Sequence, residues 1–267
     1  MRLLDAIRAE VLKVTTTRMW WILAIVTLVY MAFIGLSLGA AFSFAGDEEM
    51  GLPLGDTALA HMVYSLAVTM GYVFPLVLGA LSVTGEFRHQ TLTPTFLAVP
   101  HRGVALLAKG IVQLVLGMVF GVVAFLGTMA AGGSVIAATG GDAALGSGET
   151  WLLVLRGVVG MGLWAVIGVG FGALIRNQVA AIVVILALTQ FVEPLLRSIA
   201  MLNEVSAKIA NVLPGSASDA LTGASFYQSF GTSSSSLDWW AGGLILIAYA
   251  VGAAFLGYWV TWRRDVT

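Results

Sequence analysis

The sequence has no cysteine and only three lysines, and charged residues fill just 10% of its 267 positions. Without cysteine there is no disulfide, no thiolate metal site and no thiol nucleophile. A soluble domain carries about 25% charged residues to clothe its surface. Thirteen basic and fourteen acidic side chains cannot do that here, which argues against a soluble globular enzyme. A net charge of −1 lacks the basic face of a nucleic-acid binder, so no nucleic-acid partner is expected. An ATP-binding loop of the form G-x-x-x-x-G-K-[ST] needs a lysine after a glycine. Lys13, Lys109 and Lys208 follow Leu12, Ala108 and Ala207, so the chain cannot power itself through such a loop. The three histidines, His61, His89 and His101, are scattered and form no metal-binding pair. No catalytic residue set and no metal site is expected.

What the sequence has is apolar length. Hydrophobic residues make up 59% of it, and the mean hydropathy is +0.95. Charge-free stretches cover 19–46, 57–85, 110–141, 157–175, 177–192 and 239–262. About 20 helical residues cross a hydrocarbon core of about 30 Å. The fifth stretch is short, but the apolar run Pro194-Leu195-Leu196 and beyond carries it onward. The expected fold is all-α and polytopic, with six transmembrane helices in one domain, 1–267. The first stretch is too long for a signal-peptide core and reads as a retained helix. Ten of the thirteen basic residues fall on the side that holds both termini, which places the termini in the cytoplasm. Trp20, Trp21, Trp259 and Trp262 are expected at the inner interface, and Trp151, Trp239 and Trp240 at the outer one.

Three segments do not span. Residues 1–17 read as an amphipathic helix lying in the interface, with Leu4, Ile7, Val11 and Val14 on one stripe. The connection 85–109 is the longest on the cytoplasmic side, and a short helix is expected in it, either before Pro94 or through to Val99, with Pro100 ending it. The segment 203–238 starts helical, breaks at Pro214-Gly215, resumes over 217–221 and ends in the polar run 232–236; it reads as an extracellular cap. Gly35/Gly39, Gly117/Gly121 and Gly168/Gly172 are small-xxx-small steps for close helix packing, within the bundle or between two copies. Tyr64, Tyr72, Gln113 and Gln190 are the candidate path-lining residues. Glu193 and Arg197 stand one turn apart near the end of span five, as an ion pair that either gates the outer end of a path or only terminates the helix.

Four stretches together resemble the permease subunits of type-2 ABC exporters, especially small bacterial drug and antibiotic export permeases. They are RAEVLKVTTTRMWWIL at 8–23, TGEFRHQTLTPTFLAVPHRGVALLAK at 84–109, GALIRNQVAAIVVILAL at 172–188, and EPLL at 193–196 followed by LPGSASDALTG at 213–223. The resemblance implies an N-terminal elbow helix (1–17), a coupling loop (85–103) and short re-entrant helices before the last span. It implies ATP-driven export of a drug-like, antibiotic, lipid or other amphipathic substrate across the plasma membrane, and multidrug resistance as a role. ATP and magnesium would sit on a separate cytoplasmic ABC ATPase, in two copies, with no cofactor on this chain. A second permease copy or paralogue and membrane lipid are the other implied partners. The coupling helix would lie near 85–99, with Glu86, Arg88 and Thr91 as ATPase contacts. An ion-coupled secondary transporter or a channel is the competing class.

Overall fold

A computed structural model describes residues 3–50, 57–99, 101–199, 204–226 and 237–262. The polar run 232–236, the basic pair Arg263 and Arg264, Arg2, Pro100 and most of the acidic loop 47–56 lie outside them. Among the described residues every regular element is helical. Among the described residues six helices are long and apolar enough to cross a membrane: Met19–Phe44, Ala58–Arg88, Arg102–Ala138, Gly148–Leu174, Gln178–Ile199 and Trp239–Val260. The chain is a multi-pass membrane protein.

The helices are α1 (Leu3–Thr16), α2 (Met19–Met50), α3 (Ala58–Thr69), α4 (Val73–Arg88), α5 (Leu92–Ala98), α6 (Arg102–Ala138), α7 (Gly148–Leu174), α8 (Gln178–Ala187), α9 (Glu193–Ile199), α10 (Glu204–Val212), α11 (Pro214–Thr222) and α12 (Trp239–Gly257). Local chemistry sets many ends. The Ser147 hydroxyl accepts from the Glu149 N–H at the start of α7, and the Asn177 side chain accepts from the Ala180 N–H at the start of α8. Pro214 opens α11, and Gly223, at φ +85°, closes it in the left-handed region.

Span two is not one continuous helix. It breaks at residues 70–72 between α3 and α4. Pro75 is the cause: it has no N–H to give Gly71, and its ring crowds the carbonyl four residues back. Span five is broken in a related way. A π-helical turn, Leu188–Val192, separates α8 from α9 just before Pro194. Pro194 cannot bond the Gln190 carbonyl, and the wider turn absorbs the mismatch.

The glycine steps serve packing inside the bundle. A Cβ on Gly35 would stand 2.9 Å from Thr128 of α6, and one on Gly121 would stand 3.0 Å from Val158 of α7. A Cβ on Gly168 would collide with the Leu76 carbonyl of α4. Removing the side chain lets these helix backbones meet, which is what drives packing where the surroundings are as apolar as the protein. The main core joins α3, α4, α6 and α7 around Tyr64, Leu76, Phe125, Met161 and Trp164. Spans one, five and six are the least buried within the chain.

The connection after span two is shorter than 85–109. Helix α4 continues to Arg88 and α6 begins at Arg102, so Lys109 lies two turns inside α6 rather than in a loop. The short helix in this connection is α5, with Pro94 in its first turn, where a missing N–H costs nothing. Val99, before Pro100, is extended at φ −122°, ψ 86°, as a residue preceding proline should be.

Candidate functional site

Two polar clusters and one exposed short helix stand out from the apolar bundle. The first cluster lies where α1 crosses the ends of α4 and α6. Lys109 is 1% exposed; its Nζ meets Glu10 Oε2 at 2.7 Å and Glu86 Oε1 at 2.8 Å. Lys13 Nζ meets Glu10 Oε1 at 2.6 Å and the same Glu86 Oε1 at 2.7 Å. Two carboxylates and two ammonium groups alternate in a closed, electrically neutral ring. Burying Glu10, Glu86 and Lys109 is tolerable only because each has an opposite partner. Partial burial works against the charge on Lys13, but its hydrogen bonds with Glu10 and Glu86 and their negative charge outweigh it and raise its pKa.

This ring changes the reading of α1. Of the expected apolar stripe, Ile7 and Val14 are partly buried, Ile7 against the bundle. Leu4 and Val11 are exposed, while Ala6 and Glu10 are buried against the bundle. Glu86 belongs to the ring and is 6% exposed, whereas Arg88 and Thr91 stand at the surface. The three residues expected to form one docking contact are therefore divided between an internal tie and an outer surface. Glu10 was not singled out by the sequence reading. Its partners lie 99 and 3 positions away, and only the pairing of elements brings them together.

Helix α5 rests on a second apolar cluster that includes Leu92, Val99, Leu106 and Trp262. Trp262 is expected at the membrane interface, but it is buried. Its ring meets Phe96 edge-on at 5.3 Å and Phe87 at 6.2 Å. Its Nε1 donates to the Arg102 carbonyl at 2.9 Å. Arg102 in turn lies 4.9 Å over the Phe96 ring. The opposite face of α5 is open, with Leu97 80% exposed.

The second cluster lies at the other end of the bundle. Arg197 Nη2 meets Glu193 Oε1 at 2.9 Å, so the expected pair forms. It is a triad, because Arg197 Nη1 also meets Asp219 Oδ2 of α11 at 2.7 Å. The Gly215 N–H donates to Glu193 Oε1 at 2.7 Å, and the Ser225 hydroxyl donates to Asp219 Oδ2 at 2.8 Å. A Cβ on Gly215 would occupy the place of these side-chain atoms. A cavity of about 20 Å³, room for about one water molecule, adjoins the triad and is lined in part by Thr69 and Tyr72. Residues 215–222 of α11 are all buried, so this helix is wedged into the bundle rather than laid over it as a loop. Asp219 carried no signal in the sequence beyond being an acid in a small-residue helix after Pro-Gly.

The four candidate path residues separate. Tyr72 stacks on Trp164 at 4.3 Å, donates to the Thr189 carbonyl at 3.2 Å and accepts from Gln190 Nε2 at 3.3 Å. Tyr72 and Gln190 thus meet below the triad, and Gln190 is otherwise exposed on the outer face of span five. Tyr64 donates to the Ala143 carbonyl at 2.7 Å and ties span two to the connection after α6. Gln113 is buried near the α1 ring, at the opposite end from Tyr72.

A sequence model of a protein family, described as ABC-2 family transporter protein, matches residues 6–192. No curated protein matches the chain. The matched region contains the whole α1 ring and α5, and it stops one residue before Glu193.

Proposed function

The chain belongs to the ABC-2 family of transporter proteins, and on that premise we propose that this permease is the transmembrane half of an ATP-driven exporter. In this reading two copies of a separate ABC ATPase hold the ATP and magnesium and dock on the α1 end of the bundle, which faces the cytoplasm. The observation that carries it is α5: a seven-residue helix whose Phe96 is backed by Trp262, itself held by Phe87, and that presents Leu97 outward. An exposed leucine on a rigidly backed helix is a knob for a partner's pocket, with Arg88 and Thr91 as polar rim. Glu86 acts in this scheme from behind, by joining span two to α1 and α6. A push on α5 would then reach three elements at once.

Spans one and five bury little of themselves, and Gln190 lies exposed among apolar neighbours on span five. An amide facing lipid is costly, so this face favours a second copy of the permease or a related chain. The path would then run between copies, and the triad would shape its outer end. The substrate in this reading is amphipathic: drug-like, antibiotic or lipid.

Co-expression with a separate ABC ATPase tests the reading. Leu97→Asp should abolish co-purification and nucleotide-dependent transport while the permease itself remains folded. Undiminished assembly and transport in Leu97→Asp would remove α5 as the docking element. The ion-coupled alternative needs a carboxylate free to cycle. Glu10, Glu86, Glu193 and Asp219 are each ion-paired, which favours the ATP-driven class.

A further inference from the structure

We propose that two adjoining cavities beside the Glu193–Arg197–Asp219 triad bind a primary alkylammonium ion, its head against Glu193 and its hydrocarbon body between spans four, five and six. The small cavity at the triad, about 20 Å³, takes a group the size of one water molecule. The larger one, about 240 Å³, is almost wholly apolar and is walled in part by Trp164, Phe171, Ile185, Val192, Leu196 and Tyr249. Thr189 and Glu193 stand in the wall of both, so a head and a body can meet across them.

Glu193 is 5% exposed, and its two oxygens are used unequally. Oε1 accepts from Arg197 Nε at 3.3 Å, Arg197 Nη2 at 2.9 Å and the Gly215 N–H at 2.7 Å. Oε2 accepts from no described residue. Unlike the Oε2 of Glu86, it is not sealed off by the atoms around it. Buried acceptors are almost always paired, and one that keeps open surface beside a cavity is a place for a ligand's N–H.

Charge selects the head. Glu193 and Asp219 share one guanidinium, which leaves the triad one negative charge over. Arg156 of span four does not cancel it: it lies 4.6 Å over the Trp239 ring and pairs with neither carboxylate. An uncompensated charge within a membrane helix is costly, and a cation at Oε2 removes the cost. An anion would add to it, and a neutral head would leave it in place. Size narrows the cation. A primary ammonium carries three N–H donors in about the bulk of a water molecule, and the hydroxyls of Thr69 and Ser218 share the small cavity's wall as further acceptors. A trimethylammonium has no donor and is too large. The larger cavity then takes the hydrocarbon body. This narrows the amphipathic substrate of the exporter reading and rests on it only in calling the ligand a cargo; binding itself needs neither an ATPase nor transport.

The test uses the purified full chain in phosphatidylcholine nanodiscs near neutral pH, with radiolabelled decylamine as probe and protein-free discs subtracted. Decanol, decanoate and decyltrimethylammonium share its chain and serve as competitors. Saturable binding is expected, displaced by unlabelled decylamine and at least about tenfold less well by the other three. Glu193→Gln removes the charge and keeps the shape; it should weaken binding at least about tenfold, the loss of one charge-assisted hydrogen bond. Ile185 is 1% exposed, so Ile185→Phe grows into the larger cavity without touching the triad and should weaken binding by a similar factor. If one variant fails to fold, the other decides. Equal competition by decanol or decyltrimethylammonium, or wild-type binding in a folded variant, would overturn the proposal. So would binding lost when sodium chloride replaces choline chloride, which would give the small cavity to an inorganic cation. With no ATPase present, such a failure is separate from any failure of α5 docking.

Discussion

Lys109 bonds two carboxylates from two other elements while buried inside a membrane helix. Losing its ammonium leaves Glu10 and Glu86 to share Lys13 alone. Lys109→Met is expected to destabilise the permease by about 3–5 kcal/mol, the cost of orphaning a buried charge, read as a lower thermal midpoint in detergent. Adding Glu86→Gln to it should cost less than the two single losses together, because both act on one ring. Lys13 supplies a pH signature. Its pKa is raised in the folded state, so its contribution is complete below the ordinary lysine value of about 10.4 and is lost as pH rises through the raised one. Protease access to α1 should therefore stay flat through neutral pH and increase only in strong alkali. An increase between pH 6 and 8 would assign the hold on α1 to another group. At the other end, Glu193→Gln and Arg197→Gln separate a gate from a brace. If the triad shapes the outer end of the path, transport falls in a folded, ATPase-bound complex. If it only holds α11, thermal stability falls and transport per folded molecule does not.

Among the elements, α5 owes its position to the turn before it. Helix α4 closes with Thr91 N–H on the Glu86 carbonyl at 3.0 Å and Gln90 N–H on the Phe87 carbonyl at 3.3 Å. That closure puts Gln90 at φ 55°, a left-handed conformation that side-chain-bearing residues adopt at a cost. Gln90→Gly should therefore stabilise the permease by up to about 1 kcal/mol while leaving α5 in place. A thermal midpoint that falls instead would mean the Gln90 side chain contributes more than its backbone costs. Trp262→Ala should do the reverse. It empties the clamp behind Phe96 and costs about 3–5 kcal/mol, and ATPase co-purification is expected to drop with it.

At the scale of the whole molecule, the chain is naturally free of cysteine, which makes its sidedness directly measurable. Leu97→Cys on α5 and Asp142→Cys on the connection after α6 are single exposed thiols at opposite ends of span three. In intact cells an impermeant maleimide should label Asp142→Cys, and Leu97→Cys only after permeabilisation. The opposite pattern would invert the topology and with it the docking site. Helix α6 is 37 residues long, which is about 55 Å against a hydrocarbon core of about 30 Å. Its excess carries Arg102 and Lys109 beyond the apolar stretch, toward α1 and α5.

Composition alone determined the class of this protein. Thirteen basic and fourteen acidic residues among 59% hydrophobic ones leave only a membrane fold, and six apolar runs fix the number of spans because bilayer thickness fixes helix length. Pro75 and Pro194 mark the breaks in spans two and five by their own local chemistry, and the Glu193–Arg197 pair is legible because helix geometry sets its spacing. The rest depended on which helices meet. Glu10 and Asp219 are ordinary acids until α1 reaches α6 and α11 reaches span five. Trp262 has the composition of an interface aromatic until Phe87 and Phe96 close over it. Charges separated by 99 and 22 positions pair only once the chain has folded, since periodicity along a sequence carries no information about which faces turn toward one another.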